Sequence, residues 1–200
     1  MTQVEFLFDF GSPNAFLARR AIPGIEQRTG AKFEVVPVLL GGIFKATGNQ
    51  SPMQAFGHIK NKMAYEQLET QRFIRKHKID DFKFNPHFPV NTLNLMRMAV
   101  AAKGAGILPQ YMDAVFHHMW IEPKKMDDPA IVTAALASSG IDPKLLERAQ
   151  APEVKAKLIE NTDAAMARGV FGIPTFFVGD EIFFGKDRLR DVEEAIVAAR

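Results

Sequence analysis

The sequence predicts an α/β fold in which a βαβ start and a strand-rich end enclose a long helical block. Three observations carry that expectation. An apolar, aromatic run opens the chain, amphipathic segments headed by Pro or Asp fill the middle, and strand-like runs return near residue 174.

Residues 3–9, QVEFLFD, read as the first strand. Leu7 on the face that would otherwise be polar predicts burial on both sides. The turn Phe10-Gly11-Ser12-Pro13 follows, with Ser as N-cap and Pro at the first helical position. Ala15, Phe16 and Ala18 begin an amphipathic helix that should end at Thr29-Gly30, because Gly tolerates the left-handed C′ conformation. Residues 32–39, KFEVVPVL, read as a second strand with Pro37 near its end.

From Ser51 to about Arg168 the pattern is almost wholly helical. Residues 52–78 predict one long amphipathic helix with a possible break at Gly57. The Pro-rich stretch 84–91 predicts a loop, after which Asn91 or Thr92 caps a helix running through Ala102. Further helices should start near Pro109, Asp128 and Pro143. Strands then return at 174–178 and 181–184, with Gly179-Asp180 suited to a type II′ hairpin turn. A last helix from about Asp187 places Leu189, Val192 and Ile196 on one face. This order predicts a thioredoxin-like α/β unit with an all-helical insertion between the second strand and the helix before the 174 loop. Residues 1–45 and 151–200 would form the α/β domain, and 46–150 the insertion.

Composition narrows the function. A balance of 25 basic and 23 acidic residues gives a formal charge of +2, and no Lys/Arg run is dense enough to track a phosphate backbone. No nucleic-acid partner is expected. No apolar run approaches the roughly 20 residues of a membrane span, and the start of the chain lacks the pattern of a secretory signal. A soluble cytoplasmic protein is the expectation. The absence of cysteine excludes dithiol redox chemistry and any nucleophilic thiol of the chain's own. Five histidines (58, 77, 87, 117 and 118) show no ligand-like spacing with carboxylates, so no metal is expected.

Two sites remain where chemistry could sit. Ser12 lies where the first strand hands over to the first helix, and a hydroxyl there can donate to a ligand thiolate. The same residue type is an ordinary helix cap. The second is GVFGIPTFFVGDEIFFG, residues 169–185. A Pro directly before a strand suits a cis bond. A cis Ile173–Pro174 bond would turn the Ile173 N–H and C=O toward an extended peptide ligand, whereas a plain strand-entry proline would not.

Four stretches carry a resemblance: FLFDFGSPNAFLA near the start, TGNQSP at 47–52, NPHFPVNTLNLMR at 85–97 and GVFGIPTFFVGDEIFFGKDRL at 169–189. On these the chain resembles the 2-hydroxychromene-2-carboxylate isomerases, relatives of kappa-class glutathione transferases and, more distantly, of DsbA-type oxidoreductases. The resemblance implies a homodimer using glutathione as cofactor on a small aromatic carboxylate. It places Ser12 opposite the glutathione sulfur and Ile173, beside Pro174, against the cysteinyl backbone. Asn49 would help hold the tripeptide, and Lys62, three residues before Tyr65, would anchor the glycyl carboxylate. Lys186 and Asp187 would receive the γ-glutamyl group, Asp187 having a carboxylate suited to its ammonium. Lys186 departs from the small hydroxyl residue common there in kappa enzymes. Two other functions share this scaffold: conjugation of glutathione to an electrophile, and non-catalytic binding of a peptide or thiol.

Overall fold

A computed structural model describes residues 3–199. The chain runs β1 (Val4–Phe8), α1 (Pro13–Thr29), β2 (Phe33–Pro37), α2 (Leu40–Thr47), α3 (Pro52–Phe56), α4 (Lys60–His77), α5 (Leu93–Gly104), α6 (Leu108–Trp120), α7 (Pro129–Ser138), α8 (Leu145–Arg148) and α9 (Pro152–Ala167). It closes with β3 (Thr175–Val178), β4 (Glu181–Phe184), a 3-10 turn at Lys186–Arg188 and α10 (Leu189–Ala198).

The strands form one sheet in the order β2-β1-β3-β4. β1 runs parallel to β2 and antiparallel to β3, with Phe6 beside both Val35 and Phe176. This central position explains the apolar run of β1: Phe6, Leu7 and Phe8 are all buried, as both faces of an inner strand are covered. Phe6 stacks on Phe176 at 5.4 Å between ring centres. The buried cluster continues from the sheet into the helical block through Phe116, Tyr111 and Trp120. Helix α10 packs on α1 and β3, while α9 packs on β2, α2 and α5.

Most local expectations hold. Gly30 is left-handed at φ 67° and its N–H caps the Glu26 carbonyl. Asp128 caps α7 through the N–H groups of Ala130 and Ile131. Gly179 has φ 59° and Asp180 is not left-handed, which fits the type II′ turn.

The structure adds three details that the sequence left open. Helix α2 occupies a stretch with no helical expectation; LGGIFKAT carries two consecutive glycines that weaken its helical signal. The 52–78 helix is two helices, because the chain turns at Gly57, where a Cβ would collide with the Met53 carbonyl. The last helix opens through the 3-10 turn, so Asp187 does not cap it; Arg188 occupies the N-cap position without a side-chain cap bond. Among the described residues no helix is long and apolar enough to cross a membrane.

Candidate active site

The site forms where β1 hands over to α1. Ser12 has extended backbone angles, and its N–H donates to the Asp9 carbonyl at 3.1 Å, closing the turn. Its Oγ accepts the Ala15 N–H at 3.2 Å, the expected capping bond. The same hydroxyl donates to the Ile173 carbonyl at 3.1 Å. Ser12 is therefore a helix cap and a contact to the 174 loop at once, which one hydroxyl allows because it has one proton and two lone pairs. It is only 5% exposed.

The facing loop is braced from four directions. Ile173–Pro174 is cis. The Asn49 amide donates to the Phe171 carbonyl at 2.7 Å, and the Thr175 hydroxyl to the Gly172 carbonyl at 2.7 Å. The Gly185 N–H donates to the Pro174 carbonyl at 2.9 Å, and Ser12 supplies the fourth bond. The rings of Phe171 and Phe184 meet at 4.6 Å beside this loop and both remain about 40% exposed. Gly172 lies under Phe184: a Cβ there would stand 2.7 Å from the ring.

Beneath the turn sits Asp9, fully buried. Its carboxylate accepts the Gly11 N–H and the Leu40 N–H, each at 2.8 Å, and bonds the Thr92 hydroxyl. Burial pushes its carboxyl above the ordinary value of 3.8, against the pull of those three donors. The indole of Trp120 donates to the Phe10 carbonyl at 2.9 Å, fastening the turn to the end of α6. Phe84, half exposed, packs on Trp120 and Phe88 at 5.8 and 5.2 Å.

The sequence-derived site residues divide. Ser12, Ile173, Pro174 and Asn49 come together around one loop. The Ile173 carbonyl, expected to be free for a ligand, instead accepts the Ser12 proton, because the buried carbonyl needs a partner. Its N–H makes no bond among the described residues. Lys62 stays on its own helical face, pairing with Glu66 at 3.3 Å and lying 4.7 Å from the Phe56 ring. Among the described residues no hydrogen bond or ion pair joins it to the Ser12 turn.

Lys186 is almost wholly buried. Its ammonium binds the Asp187 carboxylate at 2.7 Å and lies 5.2 Å from the Phe73 ring of α4. Asp187 thus already holds a cation, and it is the exposed member of the pair. Asp9, Thr92 and Trp120 were not anticipated as site residues. The signal for Asp9 was present: an acid within an otherwise apolar strand run has to find donors. Nothing local marks Trp120, whose partner lies 110 residues away. At the end of α6, His117, His118 and Glu122 bring ligand atoms within 4.8 Å of one another. Glu122 is mostly exposed there, and the His118 Nε2 is engaged by Ser139.

Comparison with known proteins agrees with this fold. The DSBA-like thioredoxin domain family matches residues 3–197. A 2-hydroxychromene-2-carboxylate isomerase of Pseudomonas putida is 32% identical, the match covering 96% of this chain and 93% of that protein. Glutathione S-transferase kappa 1 of Rattus norvegicus is 26% identical over 93% and 87% of the two chains. A solved structure of a 2-hydroxychromene-2-carboxylate isomerase superposes with a TM-score of 0.81 at 27% identity, covering 98% of this chain and 95% of that one. The chain belongs to the DSBA-like thioredoxin family and, within it, to the group of 2-hydroxychromene-2-carboxylate isomerases and their kappa-class glutathione transferase relatives.

Proposed function

We propose that the chain is a glutathione-dependent isomerase that interconverts 2-hydroxychromene-2-carboxylate and trans-o-hydroxybenzylidenepyruvate. The observation that carries the proposal is the Ser12 hydroxyl, buried at a helix start and set 3.1 Å from the Ile173 carbonyl of the cis-proline loop. A chain without cysteine cannot use that position for its own redox thiol. It can present the position to a thiol brought from outside. Glutathione, when bound, would supply a thiolate that adds reversibly to the conjugated keto acid, so that a locked double bond can rotate.

The chain's residues fit that role at the loop. The Ile173 N–H and C=O are main-chain groups that an extended peptide can pair with, as a strand pairs with a sheet edge. Ser12 holds one proton, and it cannot serve the Ile173 carbonyl and a sulfur fully at the same time. Ligand binding therefore asks the hydroxyl to turn from Ile173 to the sulfur, while a ligand N–H takes the carbonyl. The helix start adds the favourable end of the α1 dipole to the same place. Asn49 holds the loop through Phe171 rather than waiting for the ligand. Lys186 and Asp187 offer an amino-acid head a paired cation and anion, the anion being the accessible one. Lys62 remains the proposed anchor for a terminal carboxylate, on the exposed face of α4.

A kappa-type transferase is the second reading, favoured by the near-full-length match to glutathione S-transferase kappa 1. The two differ in whether the thiol is returned. A time course of chromene absorbance with and without glutathione, with free thiol assayed alongside, separates them. Isomerisation that needs glutathione and leaves its concentration unchanged supports the isomerase. Thiol consumed with an electrophile, and no chromene turnover, moves the assignment to the transferase.

A further inference from the structure

We infer that Asp9 is the positioning residue of this site, a buried carboxylate that binds three separate segments into one frame around Ser12. Its Oδ1 holds the Gly11 N–H within the turn, its Oδ2 holds the Leu40 N–H at the first residue of α2, and the Thr92 hydroxyl at the entry to α5 completes the set. Its own carbonyl holds the Ser12 N–H. One residue thus touches the β1–α1 turn, the β2–α2 connection and the start of the α5 helix. Leu40 lies 31 residues from Asp9 in sequence and Thr92 farther still, and no other residue among those described bonds all three.

The arrangement is specific to the anion. All three partners are donors, and the carboxylate has lone pairs enough for each. A protonated carboxyl would have an O–H to place among groups that only donate, apart from the Thr92 oxygen. Among the described residues no charged side chain of β1, α2, α5 or the turn acts on Asp9; its partners are two backbone N–H groups and one hydroxyl. Nor can the neighbours fill in. A Cβ at Gly11 would stand 3.2 Å from the Thr92 methyl, so any side chain there would press on Thr92. Of the two residues expected to cap α5, Thr92 makes no capping bond, whereas Asn91 accepts the Leu93 N–H. The Thr92 hydroxyl is thereby left to Asp9.

The consequence is a site whose geometry follows one proton. With Asp9 ionised, the turn, α2 and α5 are held together and Ser12 sits opposite Ile173. With Asp9 protonated, the cost of burying the charge is relieved and the fold is not weakened, but the new O–H disturbs the donor set and shifts the alignment of Ser12.

Amide NMR across a pH titration tests this directly and needs no ligand. The Gly11, Ser12 and Leu40 amide signals should shift with one shared midpoint, above the ordinary carboxylate value of 3.8. Thr92→Val removes one donor to the anion and should move that shared midpoint upward. Asp9→Asn should abolish the shared transition. Separate midpoints, or a midpoint indifferent to Thr92→Val, would overturn the inference.

A second arm rests on the glutathione reading. In Asp9→Asn, kcat should fall on the order of tenfold to a hundredfold with the KM for glutathione nearly unchanged, as expected for misplaced rather than missing contacts. The acid limb of its pH profile should also disappear. An Asp9→Asn enzyme that is merely less stable, with the wild-type pH profile, would reduce Asp9 to a structural residue. If wild-type protein bound no glutathione, the proposed function would fail while the amide titration still decided the role of Asp9.

Discussion

Ser12 carries two local duties, and a single substitution separates them. Ser12→Ala removes the cap on α1 and leaves the Ile173 carbonyl without its donor. Each loss costs about 1 kcal/mol or somewhat more. Urea unfolding should therefore show the variant destabilised by roughly 1–3 kcal/mol. A stability within experimental error of wild type would mean that the 3.1 Å contact contributes nothing. The sequence offered the cap but could not show the second bond, because its partner, the Ile173 carbonyl, is 161 residues away. Lys186 teaches the opposite lesson. Its place at the head of the last helix was legible, but its burial against Phe73 depends on how α4 packs, which no local pattern records.

At the scale of elements, the loop before β3 and the end of α6 decide the shape of the site. Gly172→Ala would drive a methyl into the Phe184 ring, and that ring is exposed enough to swing away. The expected result is a folded protein whose glutathione affinity drops several-fold, measured by calorimetry; a drop of that size corresponds to about 1 kcal/mol. Unchanged affinity would place the ligand away from Phe184. Trp120→Phe tests the other brace. It removes the donor to the Phe10 carbonyl, a buried group, at a cost of about 1–3 kcal/mol before any cavity is counted. Element identity was largely readable: β1, α1, β2, the hairpin and α10 follow from periodicity and caps. The misses have physical causes. Helix α2 is short and glycine-rich, and its first N–H is held by Asp9 rather than by a cap of its own. The break at Gly57 was visible as an option, and the space there, too tight for a Cβ, explains why the position takes a glycine.

For the molecule as a whole, two buried ionisable groups push acid stability in opposite directions. His118 has its pKa lowered from 6.5, chiefly by burial and then by Lys124. The folded protein therefore binds its proton less readily than the unfolded chain, and stability is lost as pH falls through and below 6.5. Asp9 has its pKa raised above 3.8 by burial, so its contribution is fully present below 3.8 and is lost as pH rises through the folded value. The onset of acid destabilisation should thus belong to His118. His118→Gln, which can keep a bond to Ser139, should flatten the stability profile on the acid side of 6.5 in urea titrations. A profile identical to wild type there would assign the onset to other groups. We propose that the two parts expected from the sequence, 1–45 with 151–200 and 46–150, meet at this site. Trp120 and Thr92 reach the Ser12 turn from the second part.

The central claim is that the Ser12 hydroxyl faces the sulfur of bound glutathione. Ultraviolet titration of the thiolate, with glutathione saturating wild-type protein and then Ser12→Ala, tests it most directly. The account predicts a thiol pKa lowered on binding to wild type and raised again by about one unit or more in the variant, equivalent to one hydrogen bond to the anion. The same thiol pKa in both proteins would contradict it and leave Ser12 as a helix cap that happens to touch Ile173.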